Sequence, residues 1–584
     1  MLTYLFFCVC CPAVTRIYCG HIVSPVVNRI SCGHSYLLRS IVSPVLRSLV
    51  ISCGQSLSLW SILHSTPPNV QTGTINYGTG VLVLTTDETI DVTPYGTQVD
   101  LTVFFINQIA GSTTADNVNT GDSTGTYVST DVGSATVVEQ DGQSITLHLT
   151  ELARVGALLT SGTPGGDGGA NHLDIGSGGL LDIGLNPSVV AQLVLQELPD
   201  ALPPVLLSGR VNLSTGVLVV VGNEILDVRV PMNTSGMYVG DVSGDMYLNL
   251  QGCAIHVQEA RDFSYDFTVT LTEKQRVALI AVSNTPGGDH EPSVLDVHAR
   301  TITDMAGNTN QPSLNLIMNE TEDSVPPRLT SATIHYGLGV VALGFSETIN
   351  YTSLNLQHAL LMDHNGGTGA GLPLTDCTIL PQAQAPQYYN DTINAPSRHY
   401  VVFVLDELTR SLAIALSNTN GGDSSTLTVA LSSLFITDMA RNHLVAVPAY
   451  DLVETPDLLQ PVVTFGVLNY STGLLRITTN ETIDVTASAT TMDLNGFTLH
   501  NNASTTVVGL QGASVRDVDD VSFDITLTEE QRALAIALSN VPGGDGSPVR
   551  MSIAAGAFVD VAQNDNVAVV GMPLSEGKND DDDS

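Results

Sequence analysis

The stretch Phe267-Thr-Val-Thr-Leu271-Thr272-Glu-Lys-Gln275 contains the pattern that decides the fold. Its first five residues alternate apolar and polar side chains, which predicts a β-strand with one buried face. Thr272 and Gln275 have the spacing of a capping box, in which both side chains satisfy free amide groups at the start of a helix. The stretch therefore predicts a strand that leads directly into a short helix.

This strand-and-helix pattern occurs four times along the chain. The alternating strands begin at Ile145, Phe267, Val401 and Phe523, and the helix caps are Thr150, Thr272, Asp406 and Thr528. Each copy opens with a glycine turn and an apolar run that ends in an acidic segment. Each copy also contains a Gly-Gly-Asp turn and, later, the motif D-x-[AG]-x-N. Long repeats that consist mainly of strands fit a β-sandwich better than a small solenoid unit.

The motifs also resemble those of a known domain family. The third copy starts with Pro326-Pro327 and has the strand exit Phe345-Ser-Glu347, and the second ends with Asp304-Met-Ala-Gly-Asn308. Over residues 66–572 these features resemble bacterial Ig-like domains of the S-layer SbsA type. The helix with Gly-Gly-Asp is a departure from that pattern, as are Arg441 and Gln563 where the family has glycine. The resemblance implies Ig-like sandwiches that serve as spacer or adhesive modules of surface and secreted proteins.

We therefore predict an all-β chain, a tandem array of four Ig-like β-sandwiches with one short helix each. The predicted segments are a Cys-rich N-terminal segment (1–65), repeat 1 (66–201), repeat 2 (202–324), repeat 3 (325–459), repeat 4 (460–572) and an acidic tail (573–584). Proline-rich joints begin the repeats, and short stiff joints predict a rod.

Composition excludes several kinds of partner. The chain of 584 residues has 20 basic and 58 acidic residues, for a net charge of −38. Such a surface repels nucleic-acid phosphates and anionic membranes. No uninterrupted run of about 18 apolar residues is present, so a membrane span is not predicted. The composition suits binding of cations, high salt and solubility.

The recurring acidic motifs form the candidate site. In Ig topology the loop after the second strand and the loop before the last strand lie at one pole, and Gly-Gly-Asp lies at the other. Units stacked end to end would bring these poles together, and their carboxylate and amide oxygens are the ligands that Ca²⁺ selects. The candidate calcium ligands at the joints are Asp167, Glu224, Asp227, Asp304, Asn308, Asp289, Glu347, Asn350, Asp438, Asn442, Asp423, Glu481, Asp484, Asp560 and Asn564.

Turn formation is the alternative interpretation of the same residues, because Asp and Asn side chains accept hydrogen bonds from nearby backbone amides. A second recurring feature is an arginine three residues after a glutamate in each predicted helix. This spacing predicts a surface ion pair on the helix. The arginines are Arg154, Arg276, Arg410 and Arg532.

The sequence predicts no enzyme and no cofactor other than calcium. The recurrent residues contain no nucleophile–base pair, and Gly121-Asp-Ser-Thr-Gly125 matches a hydrolase motif without the strand–turn–helix context that the motif needs. We predict a structural or adhesive function outside the cell or at its surface, with surface or matrix proteins or glycans as partners.

Two alternatives to that function stay open. The first is a carbohydrate-binding array with the insertions at 111–135 and 365–397 as sites, where Tyr388 and Tyr389 are the local aromatic pair. The second is a fragment of a larger surface enzyme or receptor. Glycosylation in a secreted protein is permitted by sequons at Asn212, Asn233, Asn319, Asn350, Asn390, Asn469, Asn480 and Asn502.

The N-terminal segment differs from the rest of the chain. It contains six of the eight cysteines and no acidic residue. It lacks a basic start and a clear cleavage site, so it is either a weak signal segment or a mispredicted region. Cys253 and Cys377 are alone in their repeats, which predicts small buried residues rather than a disulfide.

Overall fold

The fold is described from a computed structural model. It describes residues 66–577 except 94–97, 110, 112–116, 120–126, 130–131, 245, 257–262, 365–370, 382–398, 487–490, 504 and 517. It also describes the backbone of two N-terminal strands that pair antiparallel, β1 (Tyr36–Leu38) and β2 (Leu49–Ile51). The rest of the predicted Cys-rich segment, residues 578–584 of the predicted tail, and Tyr388 and Tyr389 lie outside the described residues.

The first unit consists of two facing sheets and one helix. Its sheets have the strand orders β12-β3-β4-β9-β8 and β11-β10-β5, and β6 pairs with β7 in the insertion. The elements are β3 (Val70–Asn76), β4 (Val81–Ile90), β5 (Phe104–Asn107), β6 (Asn117–Asn119), β7 (Tyr127–Ser129), β8 (Thr136–Val137), β9 (Gly142–His148), α1 (Glu151–Leu159), β10 (His172–Ile175), β11 (Ala191–Val194) and β12 (Gln196–Leu198).

The second unit repeats this order, but its two sheets are joined through one long last strand, β20, into the order β16-β15-β19-β20-β13-β14-β18-β17. The elements are β13 (Leu206–Asn212), β14 (Val217–Asp227), β15 (Met237–Asp241), β16 (Tyr247–Asn249), β17 (Ala254–His256), β18 (Phe263–Thr270), α2 (Glu273–Ala281), β19 (Ser293–Val297) and β20 (Ser313–Thr321).

The third unit has sheets ordered β26-β27-β22-β21-β31 and β25-β24-β28-β30, with a small β23-β29 pair. The elements are β21 (Leu329–His335), β22 (Val340–Phe345), β23 (Ile349–Asn350), β24 (Ala359–Asp363), β25 (Leu372–Pro373), β26 (Thr378–Ile379), β27 (Tyr400–Val404), α3 (Glu407–Ala415), β28 (Leu427–Leu431), β29 (Thr437–Asp438), β30 (Val447–Asp451) and β31 (Val453–Thr455).

The fourth unit has sheets ordered β36-β37-β33-β32-β40 and β35-β34-β38-β39. The elements are β32 (Val463–Asn469), β33 (Leu474–Ile483), β34 (Phe497–His500), β35 (Val508–Gly509), β36 (Ser514–Val515), β37 (Asp520–Thr526), α4 (Glu529–Ala537), β38 (Arg550–Ile553), β39 (Val569–Pro573) and β40 (Ser575–Gly577). Short 3₁₀ turns occur at Leu101–Val103, Thr234–Gly236, Tyr336–Leu338, Tyr351–Ser353, Leu356–His358 and Leu494–Gly496.

The strand order confirms the predicted all-β, Ig-like architecture. In the first unit β3, β4, β9 and β8 correspond to strands A, B, E and D of an Ig sandwich, and β5, β10 and β11 to C, F and G. The end of the chain in this unit passes from one sheet to the other. After β11 has paired with β10 in the second sheet, β12 pairs in parallel with β3 in the first. In the fourth unit the equivalent strand β40 pairs with β32. That unit therefore extends to residue 577, beyond the end predicted at 572.

The strand-and-helix pattern folds as predicted. Ile145 and Leu147 on β9 are buried, which confirms the period-two reading. Thr272 and Gln275 form the capping box that begins α2, and Thr528 and Gln531 form the one that begins α4. Thr150 and Asp406 accept a backbone amide at the starts of α1 and α3.

The apolar core of each unit lies between its sheets, and at the joints it includes residues of the next unit. The core of the first unit includes Ile225, Met305 and Ala306 of the second. Ala440 of the third unit packs into the second core, and Ala562 of the fourth packs into the third. Consecutive units therefore share buried apolar surface.

The two cysteines of the repeats do not form a disulfide. Cys253 and Cys377 are free and half-buried, rather than buried as predicted. None of the described helices is both long and apolar enough to cross a membrane.

Backbone bridges join Ile90 to Asp182 and Leu226 to Asp304, so the acidic strand exit and the D-x-[AG]-x-N loop lie at one pole.

Candidate functional site at the joints between units

An arginine lies at the centre of each joint, and the start of the helix sets its position. Because α2 begins at its Thr272 cap, Glu273 occupies the first helical position and Arg276 the fourth, on the same face. This face points out of the unit toward the acidic pole of the next one. A buried arginine consequently lies at the boundary between the two units.

The second joint illustrates the geometry. Arg276 donates through Nε and Nη2 to the two carboxylate oxygens of Glu273, at 2.7 and 2.9 Å. Its Nη1 donates to the carbonyl oxygen of Leu213 at 3.0 Å and to Oδ2 of Asp323 at 2.6 Å. Its Nη2 also donates to Oε2 of Glu347 in the third unit, at 3.0 Å. One guanidinium thus binds its own helix, its own strand turn, the linker and the next unit.

The first joint has the same arrangement. Arg154 donates from Nη1 to the carbonyl oxygen of Tyr77 and to Oδ2 of Asp200, both at 2.7 Å. Its Nη2 donates to Oε2 of Glu224 in the second unit at 3.0 Å. Arg154 also pairs with Glu151 on its own helix.

The third joint also has the same arrangement. Arg410 donates from Nη1 to Oδ2 of Asp457 at 2.6 Å and to the carbonyl oxygen of Tyr336 at 3.3 Å. Its Nη2 donates to Oε2 of Glu481 in the fourth unit at 3.2 Å, and Glu407 on the same helix binds it through both oxygens at 2.8 Å.

A backbone contact reinforces each ion pair. The helix glutamate accepts a hydrogen bond from a backbone amide of the next unit, immediately after that unit's cluster glutamate. The pairs are Glu151 with Ile225 at 2.9 Å, Glu273 with Thr348 at 3.0 Å, and Glu407 with Thr482 at 2.7 Å. The helix glutamate therefore connects the arginine to the backbone across the joint.

Three buried carboxylates surround each joint arginine. Their oxygens lie within 4.8 Å of one another in the groups Asp200–Glu224–Asp304, Asp323–Glu347–Asp438 and Asp457–Glu481–Asp560. Each group combines the linker, the strand exit of the next unit and the D-x-[AG]-x-N aspartate. Such oxygen-only groups are chemically suited to a proton or a hard cation.

Burial dominates the electrostatics of these groups. Removal from water raises the pKa of Glu224 to about 7, because the attraction of Arg154 only partly offsets desolvation and the repulsion of Asp304 and Asp200. Burial likewise raises the pKa of Glu347 and of Glu481 to about 7. It also raises the pKa of Asp304, Asp438 and Asp560 above the ordinary aspartate value.

The predicted asparagine ligands act first as turn residues. Asn308 donates its backbone amide to Oδ1 of Asp304 at 2.8 Å and its Nδ2 to Oδ2 at 2.9 Å. The same Nδ2 donates to the carbonyl oxygen of Asp200 across the joint at 3.2 Å. Asn442 and Asn564 make the equivalent contacts. The amide nitrogen, and not the amide oxygen, faces the cluster.

The Gly-Gly-Asp turns meet the next unit through glycine instead of aspartate. A Cβ on Gly165 would overlap the carbonyl oxygen of Met305, and one on Gly287 would overlap that of Met439. Gly421 has the same relation to Val561. These glycines allow close approach of two backbones, so the predicted meeting of the two poles is present.

The remaining predicted ligands do not join the clusters. Asp167, Asp289 and Asp423 each accept the backbone amide two residues on, at 2.9 Å, as in a local turn. Asp227 pairs with Arg229, Asn350 caps a 3₁₀ turn, and Asp484 accepts from Gln563 at 2.8 Å.

The predicted surface location of the helix arginines is wrong for three of the four. The side chains of Arg154, Arg276 and Arg410 are only 5–7% exposed. The fourth, Arg532, is 30% exposed and pairs with Glu529, which is 75% exposed. The difference arises because the three buried arginines are covered by the acidic pole of the following unit.

The linker aspartates Asp200, Asp323 and Asp457 were not predicted. A signal for them exists in the sequence, since each follows a glutamate by three residues and precedes a proline-rich joint. Those glutamates are Glu197, Glu320 and Glu454, and they accept backbone amides after the helix at 3.0–3.2 Å.

Comparison with known proteins identifies no family for the chain. No family model matches it, and no curated protein matches it. Similar structures include the chicken CNTN1 FN1–FN3 domains, with 8% identity, a TM-score of 0.21, and coverage of 64% of this chain and 97% of that one. The bacterial S-layer protein SbsC matches 88% of this chain and 55% of that one, with 10% identity and a TM-score of 0.14. A biofilm-associated BSP domain matches 88% and 96%, with 10% identity and a TM-score of 0.12.

The chain thus spans about half the length of the SbsC structure. TM-scores this low do not define a shared fold over the whole chain, so the Ig-like assignment rests on the strand order of each unit. The SbsA type stays a prediction.

Proposed function

We propose that this chain is a non-enzymatic spacer or adhesion protein of the cell surface or extracellular space, in which the joints hold successive Ig-like units in a fixed orientation. The observation that carries the proposal is the buried arginine shared by two units at three successive joints. The planar guanidinium binds carboxylates in a directional fork, so rotation of one unit against the next would separate charges that are out of water.

Apolar and steric contacts support the same function. Met305 and Ala306 of the second unit are buried in the core of the first. The close backbone approach at Gly165 leaves no room for one unit to slide over the other. Proline-rich linkers further restrict the chain between units. The combination favours a rod over a flexible string of domains.

Small-angle X-ray scattering of the full chain tests the stiffness. The wild-type chain should give the scattering of an extended particle with fixed unit orientations. The triple variant Arg154→Ala, Arg276→Ala, Arg410→Ala should broaden the distance distribution, whereas Arg532→Ala should leave it unchanged. A wild-type chain as flexible as the triple variant would contradict the proposal.

The extracellular location is part of the proposal and has its own test. The net charge of −38 and the exposed sequon residue Asn319 are compatible with a secreted protein. Expression through a secretory pathway should add a glycan that the Asn319→Gln variant loses, as measured by mass spectrometry. Retention of the chain inside the cell without glycans would contradict the location.

We also propose that calcium stiffens the joints. Glu151, Asp200, Glu224 and Asp304 place four carboxylates around the single guanidinium of Arg154, which leaves an excess of negative charge. In the third joint, Oε1 of Glu481 is buried and has no hydrogen-bond partner among the described residues, as a cation ligand would. Turn formation explains the aspartate–asparagine pairs but not this oxygen.

A carbohydrate-binding array is the second candidate function. The predicted insertion loops lie largely outside the described residues, but the second unit has an aromatic group on its surface. Tyr238 and Tyr247 stack with ring centroids 4.5 Å apart, beside His298, and Tyr247 is exposed. Exposed aromatic rings suit stacking on sugars. A glycan array on which Tyr247→Ala abolishes a wild-type signal would support this candidate, and an array without signal would remove it.

A further inference from the structure

One surface of the joint type, in the fourth unit, is accessible in the part of the chain that the structure describes. This surface, termed the terminal joint face, consists of Ser471, Glu529, Arg532, Ile536 and Gly543. Each of these residues occupies the position of an internal-joint residue. The stretch that follows β40, termed the acidic segment, is Lys-Asn-Asp-Asp-Asp-Asp-Ser at 578–584 and lies outside the described residues.

Arg532 is already oriented as in a completed joint. It donates through Nε and Nη2 to the two carboxylate oxygens of Glu529, both at 2.7 Å, and from Nη1 to the carbonyl oxygen of Tyr470 at 2.9 Å. Arg276 makes the same three contacts, and its Nη1 and Nη2 each bind one further carboxylate. Arg532 has no such carboxylate among the described residues, and 30% of its side chain is exposed. One N–H group on each terminal nitrogen is therefore left for a further acceptor.

Apolar and glycine positions on the terminal joint face are uncovered as well. Ile536 is half-buried, whereas its equivalents are buried at the internal joints. Those equivalents are Leu158, Ile280 and Ile414. A Cβ on Gly543 would meet only Ile536 of its own unit, whereas those on the equivalent glycines would overlap a neighbouring backbone. The face consequently has the shape of a joint surface without its cover.

The strand before the acidic segment has the register of an internal linker. β40 pairs in parallel with β32, and Gly577 lies opposite Asn469. In the second unit Thr321 lies opposite Asn212 in the same way. The two asparagines begin equivalent turns of their units. The chain therefore leaves the fourth unit at the position from which the second unit's linker starts.

Two residues are enough to reach the joint arginine from this position. Asp323 follows Thr321 by two residues, and its Oδ2 accepts from Nη1 of Arg276 at 2.6 Å. The equivalent residue of the fourth unit, residue 579, is asparagine, but the next four residues are aspartates. A shift of one residue, about 3.5 Å of extended chain, therefore brings Asp580 to the place of the linker aspartate.

The linker also shows how such an aspartate is held. Oδ1 of Asp323 accepts the backbone amide of Val325 at 3.0 Å, while Oδ2 faces the arginine. Consecutive aspartates favour turns of this kind. Ser214 binds the same linker, since its Oγ accepts the backbone amide of Ser324 at 3.0 Å. The fourth unit has a serine at the same place, Ser471, and it is exposed.

We propose that the acidic segment binds the terminal joint face of its own molecule, with an aspartate among Asp580–Asp583 accepting from Arg532. The segment supplies four carboxylates, and the face supplies the N–H groups that internal joints fill with carboxylates. The segment is then a terminal cap, which occupies the surface on which a further unit would stack.

The proposal goes beyond the spacer function, because it assigns a role to a stretch outside the four units. It uses the chemistry of the joints and not the stiffness of the array. A flexible array with a bound segment would contradict the spacer function alone, and a stiff array with an unbound segment would contradict the cap alone.

The contact should be weak and sensitive to salt. Glu529 and Glu530 lie in the first turn of α4 and repel further carboxylates, and Arg532 is partly exposed. Ion pairs of this kind change an equilibrium by about two- to fivefold. The experiments therefore need to resolve changes of that size.

Cleavage after Lys578 by a lysine-specific protease reports on the segment in the full chain. The cut releases residues 579–584, and intact mass spectrometry measures its rate. Binding of the segment should slow the cut, because the protease acts on the unbound form. Arg532→Gln should accelerate it by about two- to fivefold. Arg210→Gln, at an exposed arginine on β13, is the matched control and should be cut at the wild-type rate.

Salt provides a second comparison between the same chains. The wild type and Arg532→Gln keep identical residues around the cut, so the ratio of their rates cancels any effect of salt on the protease. In about 0.5 M sodium chloride this ratio should approach one, because the ion pair is screened.

Hydrogen exchange of α4 measures the other side of the contact and covers the case that Arg532→Gln disturbs the helix. Asparagine at all four positions of Asp580–Asp583 leaves α4 unchanged and should speed its exchange by about two- to fivefold. In the Arg532→Gln background the same four substitutions should have no effect, because the partner is already missing. Helix α3 is the internal control and should exchange equally in all variants.

Three outcomes would overturn the proposal. One is cleavage after Lys578 at the same rate in the wild type and in Arg532→Gln. Another is an effect of the four asparagine substitutions on α4 that persists in the Arg532→Gln background. The third is protection of Lys578 that grows with protein concentration, which would show that a second molecule covers the face.

Discussion

Arg276 of the second unit and Glu347 of the third are joined by a hydrogen bond of 3.0 Å, although 71 residues separate them in the chain. Their side chains are 7% and 11% exposed. A charge pair held out of water is costly to break from one side, because the remaining charge keeps its desolvation cost without its partner. The stability of each unit is therefore coupled to the presence of the next.

Removal of the joint arginine should destabilise two units together. We expect Arg276→Ala to lower the local stability around α2 and β22–β23 by about 3–5 kcal/mol, because Asp323 and Glu347 lose their buried cation. Hydrogen exchange with mass spectrometry measures this loss. Arg532→Ala is the matched control, since Arg532 has the same helix position but pairs with no other carboxylate than Glu529 among the described residues. Equal effects of the two variants would contradict the prediction.

Close backbone approach makes the joint glycines irreplaceable. Gly287 and Gly543 both have positive φ, 95° and 100°, so alanine strains either turn. A Cβ at Gly287 would also overlap the carbonyl oxygen of Met439 in the next unit, whereas at Gly543 it would reach only Ile536. We expect Gly287→Ala, but not Gly543→Ala, to alter the angle between the second and third units in small-angle scattering. Identical scattering from both variants would show that the overlap is not there.

Protonation of Glu347 should contribute stability to the second joint in a defined pH window. The pKa of Glu347 is raised from 4.5 to about 7 by burial, so the folded joint binds more protons than the unfolded chain between these values. Proton binding at Glu347 therefore stabilises the folded joint. This stabilisation, roughly 3 kcal/mol, is fully present below pH 4.5 and is lost as pH rises toward 7. The raised pKa of Asp438 acts in the same direction.

Comparison with Glu347→Gln isolates this effect from other carboxylates. The melting temperature of the wild type minus that of the variant should be larger at pH 5 than at pH 8. A difference that is constant over this range, or larger at pH 8, would contradict the raised pKa.

Stabilisation by calcium should increase with pH, opposite to the effect of protonating Glu347, because calcium binds ionised carboxylates. If the joints bind calcium, its addition should raise the melting temperature more at pH 8 than at pH 5, and a chelator should reverse the increase. Asp304→Asn should reduce the response, and Asp227→Asn is the control because Asp227 pairs with Arg229 outside the cluster. An unchanged melting temperature on adding chelator would remove the calcium proposal.

Much of the fold was accessible from the sequence because its signals are local. The alternation from Phe267 to Leu271 and the capping box at Thr272 depend on neighbouring residues, and both are confirmed. The pole of each acidic motif followed from its position relative to the strands. These predictions required no knowledge of contacts between units.

The buried state of Arg276 could not be predicted in the same way. Its spacing from Glu273 indicates an ion pair but does not show that Glu347 of another unit covers it. The sequence predicts Asp289 as the joint residue, whereas the contact is made by Gly287, because a motif does not reveal which of its residues faces the neighbour. The recurrence of Asp323 and its equivalents before the proline joints between units is a sequence signal from which the linker carboxylates can be predicted.

The second and third units each carry both halves of a joint: an acidic pole that receives an arginine and a helix that presents one. Duplication of such a unit within the gene would add a complete joint at once, with no compensating substitution elsewhere. Loss of one such unit would bring the helix of the preceding unit against the acidic pole of the following unit, which again forms a complete joint. The length of the array is therefore free to change in whole units, while every boundary keeps the same chemistry.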